Sequence, residues 1–338
     1  GIPQVINAGL VLKCSVLSSC LRLVRYDSSI SRALPVIPIF STYFMYKNVP
    51  KFVFFFSSNP AEIRQILIYP PGKGGIPINT EDYMCLAQDR FLNDVIIDFY
   101  LKYLVHDILT HMQREKTHIF STFFYKRLTT KPSKVNRNSN PHEWDSSLTL
   151  AQKQHARVKT WTKNVNIFEK YFIVVPINET RHWFVAIICY PSLDGCRSMI
   201  DKIELPCILI FDSLACASRS RVVETLHDYL TCEYQAKISK NIIFNKDNMK
   251  GSCPKIPQQK NLTDCGLYLL QYVEQFFKDP VSDYTLPIKQ LANWFDEIVV
   301  TRKCEEISKL LKTLMHKYNP NSHLHLPDIK FPTLNGKY

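Results

Sequence analysis

Three apolar runs dominate the centre of the chain: Tyr171–Ile177, His182–Ile188 and Cys207–Asp212. Each is rich in β-branched and aromatic residues and has few polar interruptions. Alternation would mark strands with one wet face, whereas near-continuous runs predict central strands buried on both faces. Helical spacing flanks these runs. After Asn93, a good N-cap, apolar Ile96, Phe99, Tyr100, Tyr103 and Leu104 recur with a helical period. Leu267, Leu270, Val273 and Phe277 form a stripe on a helix expected from Asp264 to about Phe277. Further helices are expected from near Thr80, where Glu81 and Asp82 favour the positive end, from about Ser218 to Tyr234, and over roughly 302–317.

Between these elements the pattern breaks. Tyr69-Pro70-Pro71-Gly72-Lys73-Gly74-Gly75 has strong turn chemistry. Residues 126–158 are polar and irregular, which predicts an exposed loop and a short helix, with the basic stretch Lys126–Lys134 read as solvated. Residues 1–60 are apolar, Ser-rich and punctuated by proline, with Phe52–Phe56 a candidate buried strand. The pattern therefore predicts an α+β fold with a central mixed sheet flanked by helices. It divides the chain into an N-terminal extension over 1–60, a folded domain over 61–320 and a tail over 321–338.

Composition narrows the class. The chain has 338 residues, 46% of them hydrophobic, enough for a sizeable core. Its 42 Lys and Arg against 30 Asp and Glu leave a net charge of +12, which suits an acidic partner or simply keeps the protein soluble. The 11 cysteines are odd in number and form no Cys-x-x-Cys, so neither a zinc ribbon nor a disulfide framework is indicated. Free thiols suit the reducing cytosol or nucleus. No run of about 18 apolar residues exists, so no membrane span is expected.

Three polar residues lie where these elements end. His182 opens a buried strand, Asp212 closes another, and Cys265 stands where a Gln-containing loop turns into a helix. Hydrolysis by a thiol needs a thiolate, a base to take its proton and a group to orient the base. A helix N-terminus favours a thiolate, so Cys265 is the candidate nucleophile, His182 the general base and acid, and Asp212 the orienting carboxylate. Gln259, six residues before Cys265, is placed to offer its amide to an oxyanion together with the Cys265 backbone N–H. Each residue alone has a plainer reading, as a core thiol, a structural imidazole, a turn cap or a solvated amide.

Together these residues and their surroundings resemble the SUMO-specific (sentrin-specific) cysteine proteases of the ubiquitin-like-protein protease superfamily. The matching strings are Phe91-Leu92-Asn93-Asp94 with Ile96-Ile97-Asp98-Phe99-Tyr100, His182-Trp183, Asp212-Ser213-Leu214, Pro257 through Gly266, and Asn293-Trp294-Phe295. The order His, Asp, Cys is the family's. The resemblance implies the ubiquitin-like-protein protease fold for 61–320 and a triad of His182, Asp212 and Cys265 with Gln259 in the oxyanion hole. It implies a thiol isopeptidase that cuts after the Gly-Gly tail of SUMO without metal or cofactor. Trp183 matches the tryptophan that roofs the Gly-Gly channel, and Phe91 takes the place where many members have a second one. Lys73, in a short proline-glycine loop, matches a SUMO-contacting loop of the branch that dismantles SUMO chains.

The resemblance further implies SUMO conjugates or chains as partners, a monomer, and residence in the nucleus or otherwise the cytosol. Three other readings stay open on the residues alone. One is a protease for ubiquitin or another modifier. Another is a SUMO-binding module without activity. The last is a basic nucleic-acid-binding domain, for which neither a recognisable motif nor a basic face with interleaved aromatics is found.

Overall fold

The computed structural model describes residues 63–131, 145–193, 197–199, 202–214, 218–288, 291–321 and 323–331. The N-terminal extension, the Phe52–Phe56 strand, most of the basic stretch beyond Lys131 and the end of the tail lie outside them. Strands β1 (Gln65–Tyr69) and β2 (Ile76–Asn79) pair antiparallel around the Pro-Gly loop, in which Gly72 and Gly74 take positive φ. A single helical turn, α1 (Thr80–Tyr83), follows. Helix α2 (Asp94–Tyr103) begins where expected, because the Asn93 side chain accepts from the Ile96 N–H at 3.0 Å.

Helix α3 (His111–Glu115), strand β3 (Thr117–Ile119), helix α4 (Phe123–Thr129) and helix α5 (Leu150–Ala156) come next. The long apolar runs become β4 (Phe172–Glu179) and β5 (His182–Cys189). A small ribbon, β6 (Arg197–Met199) and β7 (Lys202–Glu204), leads to β8 (Cys207–Phe211). Helix α6 (Ser220–Ile238), strand β9 (Lys250–Ser252) and helices α7 (Cys265–Lys278) and α8 (Glu297–Tyr318) complete the order.

Five strands form one sheet in the order β3-β4-β5-β8-β9, parallel at the two outer pairings and antiparallel at the two inner ones. The sheet is therefore mixed and flanked by helices on both sides, as the apolar runs predicted. Successive residues of a strand point to opposite faces. Val174, Val185, Ile187, Leu209 and Phe211 join a core with α2, α7 and α8. Ile173, Val175, Phe184, Ala186, Ile208 and Ile210 join a second core with α4 and α6.

Two expectations change. Helix α8 starts five residues earlier than 302, at Glu297, because the Asp296 side chain caps it by accepting from the Ile298 N–H at 3.0 Å. The described parts of 126–158 are only partly solvated: Leu128 and Val158 are fully buried and Arg157 donates to the Leu128 carbonyl at 3.0 Å. Isolated apolar residues in a polar stretch carry no periodic signal, so this burial is tertiary in origin.

Candidate active site

Sheet register brings the polar residues to one end of the sheet. Strands β5 and β8 run antiparallel, with Val185 opposite Phe211 as the last pair, so the start of β5 lies beside the chain leaving β8. Strand β9 runs parallel to β8 and delivers the Gln-containing loop to the same end, where the Gln259 N–H donates to the Ser213 carbonyl at 3.2 Å. That loop then turns into α7 at Cys265, with Asp264 at the cap position.

His182, Asp212 and Cys265 meet there. His182 Nε2 lies 2.6 Å from Asp212 Oδ1. The Cys265 side chain interacts with the same imidazole, and with Nε2 taken by Asp212 the nitrogen left for the thiol is Nδ1. Cys265 is almost wholly buried, and the His182 side chain keeps 16% of its surface. Burial disfavours the imidazolium, but hydrogen bonds to Asp212 and Cys265 and the charges of both outweigh it and push His182 up to about 9. Burial also opposes ionisation of Asp212. Hydrogen bonds from His182, the Leu214 N–H and Arg219, with the Arg219 charge, nevertheless hold its carboxyl below the usual carboxylate range.

The Gln259 side chain is buried and held at both ends. Its Oε1 accepts from Ser213 Oγ and its Nε2 donates to the Asn261 carbonyl at 2.7 Å. An amide nitrogen has two protons, so one donor is left over. Two tyrosines one helical turn apart on α7 pin the loop itself: Tyr268 Oη donates to the Gln258 carbonyl at 3.1 Å and Tyr272 Oη to the Pro257 carbonyl. Trp294, in the Asn-Trp-Phe string, packs against Phe211, the residue before Asp212, with ring centroids 5.4 Å apart.

His182 and Trp183 are neighbours on a strand and therefore leave opposite faces. Trp183 is 3% exposed, and its Nε1–H donates to the Leu92 carbonyl at 3.1 Å. Gly266 lies against the same residue: a Cβ there would sit 3.0 Å from Leu92 Cβ, so the Cys-Gly pair lets α7 approach the 91–93 loop closely. Phe91, next to Leu92, is 48% exposed. Lys73 stands apart, exposed in the β1–β2 loop, and the contacts just described do not include it.

Several supporting residues were given no role by the sequence: Ser213, Tyr268, Tyr272 and above all Arg219. Arg219 opens α6, where a cation opposes the helix dipole. That local inconsistency is the one sequence signal that could have marked it.

Residues 90–300 match the Ulp1 protease family, C-terminal catalytic domain. The chain is 39% identical to sentrin-specific protease 7 of Homo sapiens over 75% of its own length and 28% of that protein. It is 36% identical to ubiquitin-like-specific protease 2 of Schizosaccharomyces pombe, over 65% of this chain and 36% of that one. The chain thus spans well under half the length of these relatives. Among solved structures, a de-sumoylating protease aligns with TM-score 0.54 and 27% identity, covering 72% of this chain and 88% of that one. The C-terminal Ulp1 protease domain, solved with the yeast SUMO ortholog Smt3, shares the fold with TM-score 0.50 and 24% identity, covering 75% and 88%.

Proposed function

Because the chain belongs to the Ulp1 protease family, we propose that residues 61–320 form a thiol isopeptidase that cuts after the Gly-Gly tail of SUMO. One observation carries the reading: Cys265, at the start of a 14-residue helix, interacts with an imidazole whose Nε2 is 2.6 Å from a carboxylate. A lone core thiol has no use for that chain of partners.

In this reading His182 takes the Cys265 proton, and Asp212 fixes the imidazole with Nε2–H toward its own Oδ1 and Nδ1 toward sulfur. The thiolate attacks the carbonyl of the terminal glycine. The resulting oxyanion is met by the Cys265 N–H and the spare Gln259 amide proton. Collapse expels the lysine amine, protonated by His182, and leaves a thioester. Water, activated by the same imidazole, attacks the thioester and returns the thiol.

Trp183 and Phe91 flank Leu92, at the approach to Cys265. An aromatic wall there admits a chain without side chains and excludes any Cβ, which is why Gly-Gly fits. Lys73, exposed in its own loop, is proposed as a contact to an acidic face of SUMO. The relatives named for sentrin and the de-sumoylating neighbour support SUMO over ubiquitin. The reading extends to SUMO conjugates and chains as partners and to a protein acting as a monomer in the nucleus.

The test is hydrolysis of C-terminal fluorogenic amides of SUMO and of ubiquitin, followed by di-SUMO against a SUMO precursor. The reading expects turnover of the SUMO amide that Cys265→Ala abolishes, and faster cleavage of di-SUMO than of precursor. Turnover of the ubiquitin amide alone would overturn the substrate, and faster precursor processing would overturn the chain preference.

A further inference from the structure

The Asp212 carboxylate is fully occupied. Its Oδ1 takes His182 and, at 2.9 Å, the Leu214 N–H. Its Oδ2 takes two donors from one side chain: Arg219 Nε at 2.8 Å and Nη2 at 2.6 Å. With four donors in place the carboxylate has no freedom to rotate, and Oδ1 stays aimed at the imidazole.

The guanidinium is itself fixed. Its carbon lies 4.0 Å from the centroid of Phe184, whose ring is nearly parallel to the His182 ring at 24°. Its third nitrogen, Nη1, reaches Glu179 Oε2 at 3.3 Å. Glu179 is the cross-strand partner of His182. Arg219 therefore spans from the carboxylate behind the imidazole, across the aromatic ring beside it, to the strand paired with it. Its side chain is 13% exposed, so solvent screens this charge weakly.

We infer that Arg219 is a positioning residue for the reaction: it locks Asp212 to hold the His182 tautomer, and its charge limits how strongly the imidazolium is favoured. The inference rests on the proposed nucleophilic role of Cys265. The charged and titratable groups around the guanidinium come from five elements. They are Glu179 on β4, His182 on β5, Asp212 after β8, Tyr125 on α4 through its hydrogen bond to Glu179, and Cys253 after β9. Cys265 on α7 is coupled through His182. Removing the cation leaves two carboxylates, Asp212 and Glu179, facing the imidazole without a counter-charge, and both then stabilise its protonated form.

The test reads Cys265 directly. Alkylation by iodoacetamide is followed across pH by mass spectrometry of the Cys265 peptide, beside kcat and KM on the SUMO amide. An ion-paired thiolate gives a two-step profile whose upper step is the loss of the His182 proton. In Arg219→Gln the upper step is expected to move up by about one pH unit. Its kcat should fall about 10- to 100-fold with KM little changed, as a loosened catalytic group would produce. Arg219→Lys keeps the charge and loses the fork, so its upper step should stay at the wild-type position while kcat recovers only in part.

Glu179→Gln perturbs the same charge group with opposite sign and leaves the Asp212 contacts intact. Its upper step should move down, which keeps the inference testable if the Arg219 variants fold poorly. An Arg219→Gln profile that superposes on wild type, with lost activity matched by lost thermal stability, would reduce Arg219 to a structural residue. A wild-type profile with one ordinary thiol step would instead overturn the Cys265–His182 pairing, and this inference with it.

Discussion

Gln259→Leu separates transition-state stabilisation from everything else the site does. Leucine has about the volume of glutamine and keeps the position filled, but removes both amide protons and the acceptor. The structural loss is the pair of bonds to Ser213 Oγ and the Asn261 carbonyl. Ser213 is buried, so leaving its hydroxyl unpaired costs about 1–3 kcal/mol of stability. The kinetic loss is the one amide proton not used by Asn261, and removal of such a donor raises the barrier by about 3–4 kcal/mol, or roughly 10²–10³ in kcat. Turnover of the SUMO amide should fall by that factor with KM nearly unchanged. Iodoacetamide alkylation of Cys265 passes through no oxyanion, so its rate should match wild type. Ser213→Ala keeps the donor and frees the amide to rotate, and about a tenfold loss is expected. A fall in kcat of less than about fivefold for Gln259→Leu, or an equal fall in alkylation, would refute the oxyanion role.

Gly266→Ala places a Cβ 3.0 Å from Leu92 Cβ. Overpacking of this kind costs about 1–3 kcal/mol, offset by up to about 1 kcal/mol of helix propensity. Thermal unfolding should therefore shift by a few degrees, while kcat falls much more because the strain lands beside Cys265; unchanged kcat would count against the tight fit. Trp183→Phe leaves the Leu92 carbonyl without its 3.1 Å donor, an expected loss of about 1–3 kcal/mol in urea unfolding, and an unchanged midpoint would show that water replaces the indole. Against the cost of burial, Asp212 and Cys265 push His182 from its ordinary 6.5 up to about 9, so its contribution to stability is complete below about 6.5 and is lost as pH rises through 9. Asp212 has the opposite sign: held below its ordinary 3.8, it contributes above that value and loses it as pH falls further. In Asp212→Asn the upper alkylation step should fall from about 9 toward 6.5, a change of about 3 kcal/mol between the protonation states. A step that stays near 9 would show that Asp212 does not hold the imidazole.

The sheet and the two long helices around it were legible because their signals are local. Runs such as Phe184–Ile188 are short and rich in β-branched and aromatic residues, which favours strands with two buried faces, and Asn93 caps α2 wherever α2 packs. The ends of those elements hold the polar residues, so His182, Asp212 and Cys265, which the structure brings together, could be picked out with them. The register that unites them was not, since it depends on β5 and β8 running antiparallel and β9 parallel. Short strands such as β3 and β9 have three residues each and no periodicity to detect.

The supporting shell was hidden for a different reason. Tyr268 and Tyr272 sit among the apolar residues of α7 and read as core, although their hydroxyls hold the Gln loop. Ser213 stands in the Asp-Ser-Leu string without a role of its own. Trp183 was expected as an aromatic of the substrate channel. The structure adds a hydrogen bond to the Leu92 carbonyl that couples it to the loop before α2. Arg219 contradicts its helix dipole, and residues that break a local rule tend to serve a site.

Whether Cys265 is the nucleophile is decided by one covalent bond. The protein is incubated with SUMO carrying a C-terminal electrophile, and the intact mass and the modified peptide are read. A single adduct is expected, on the peptide containing Cys265, absent in Cys265→Ala and strongly slowed in His182→Ala. An adduct on any of the other ten cysteines, or one that survives Cys265→Ala, would contradict it.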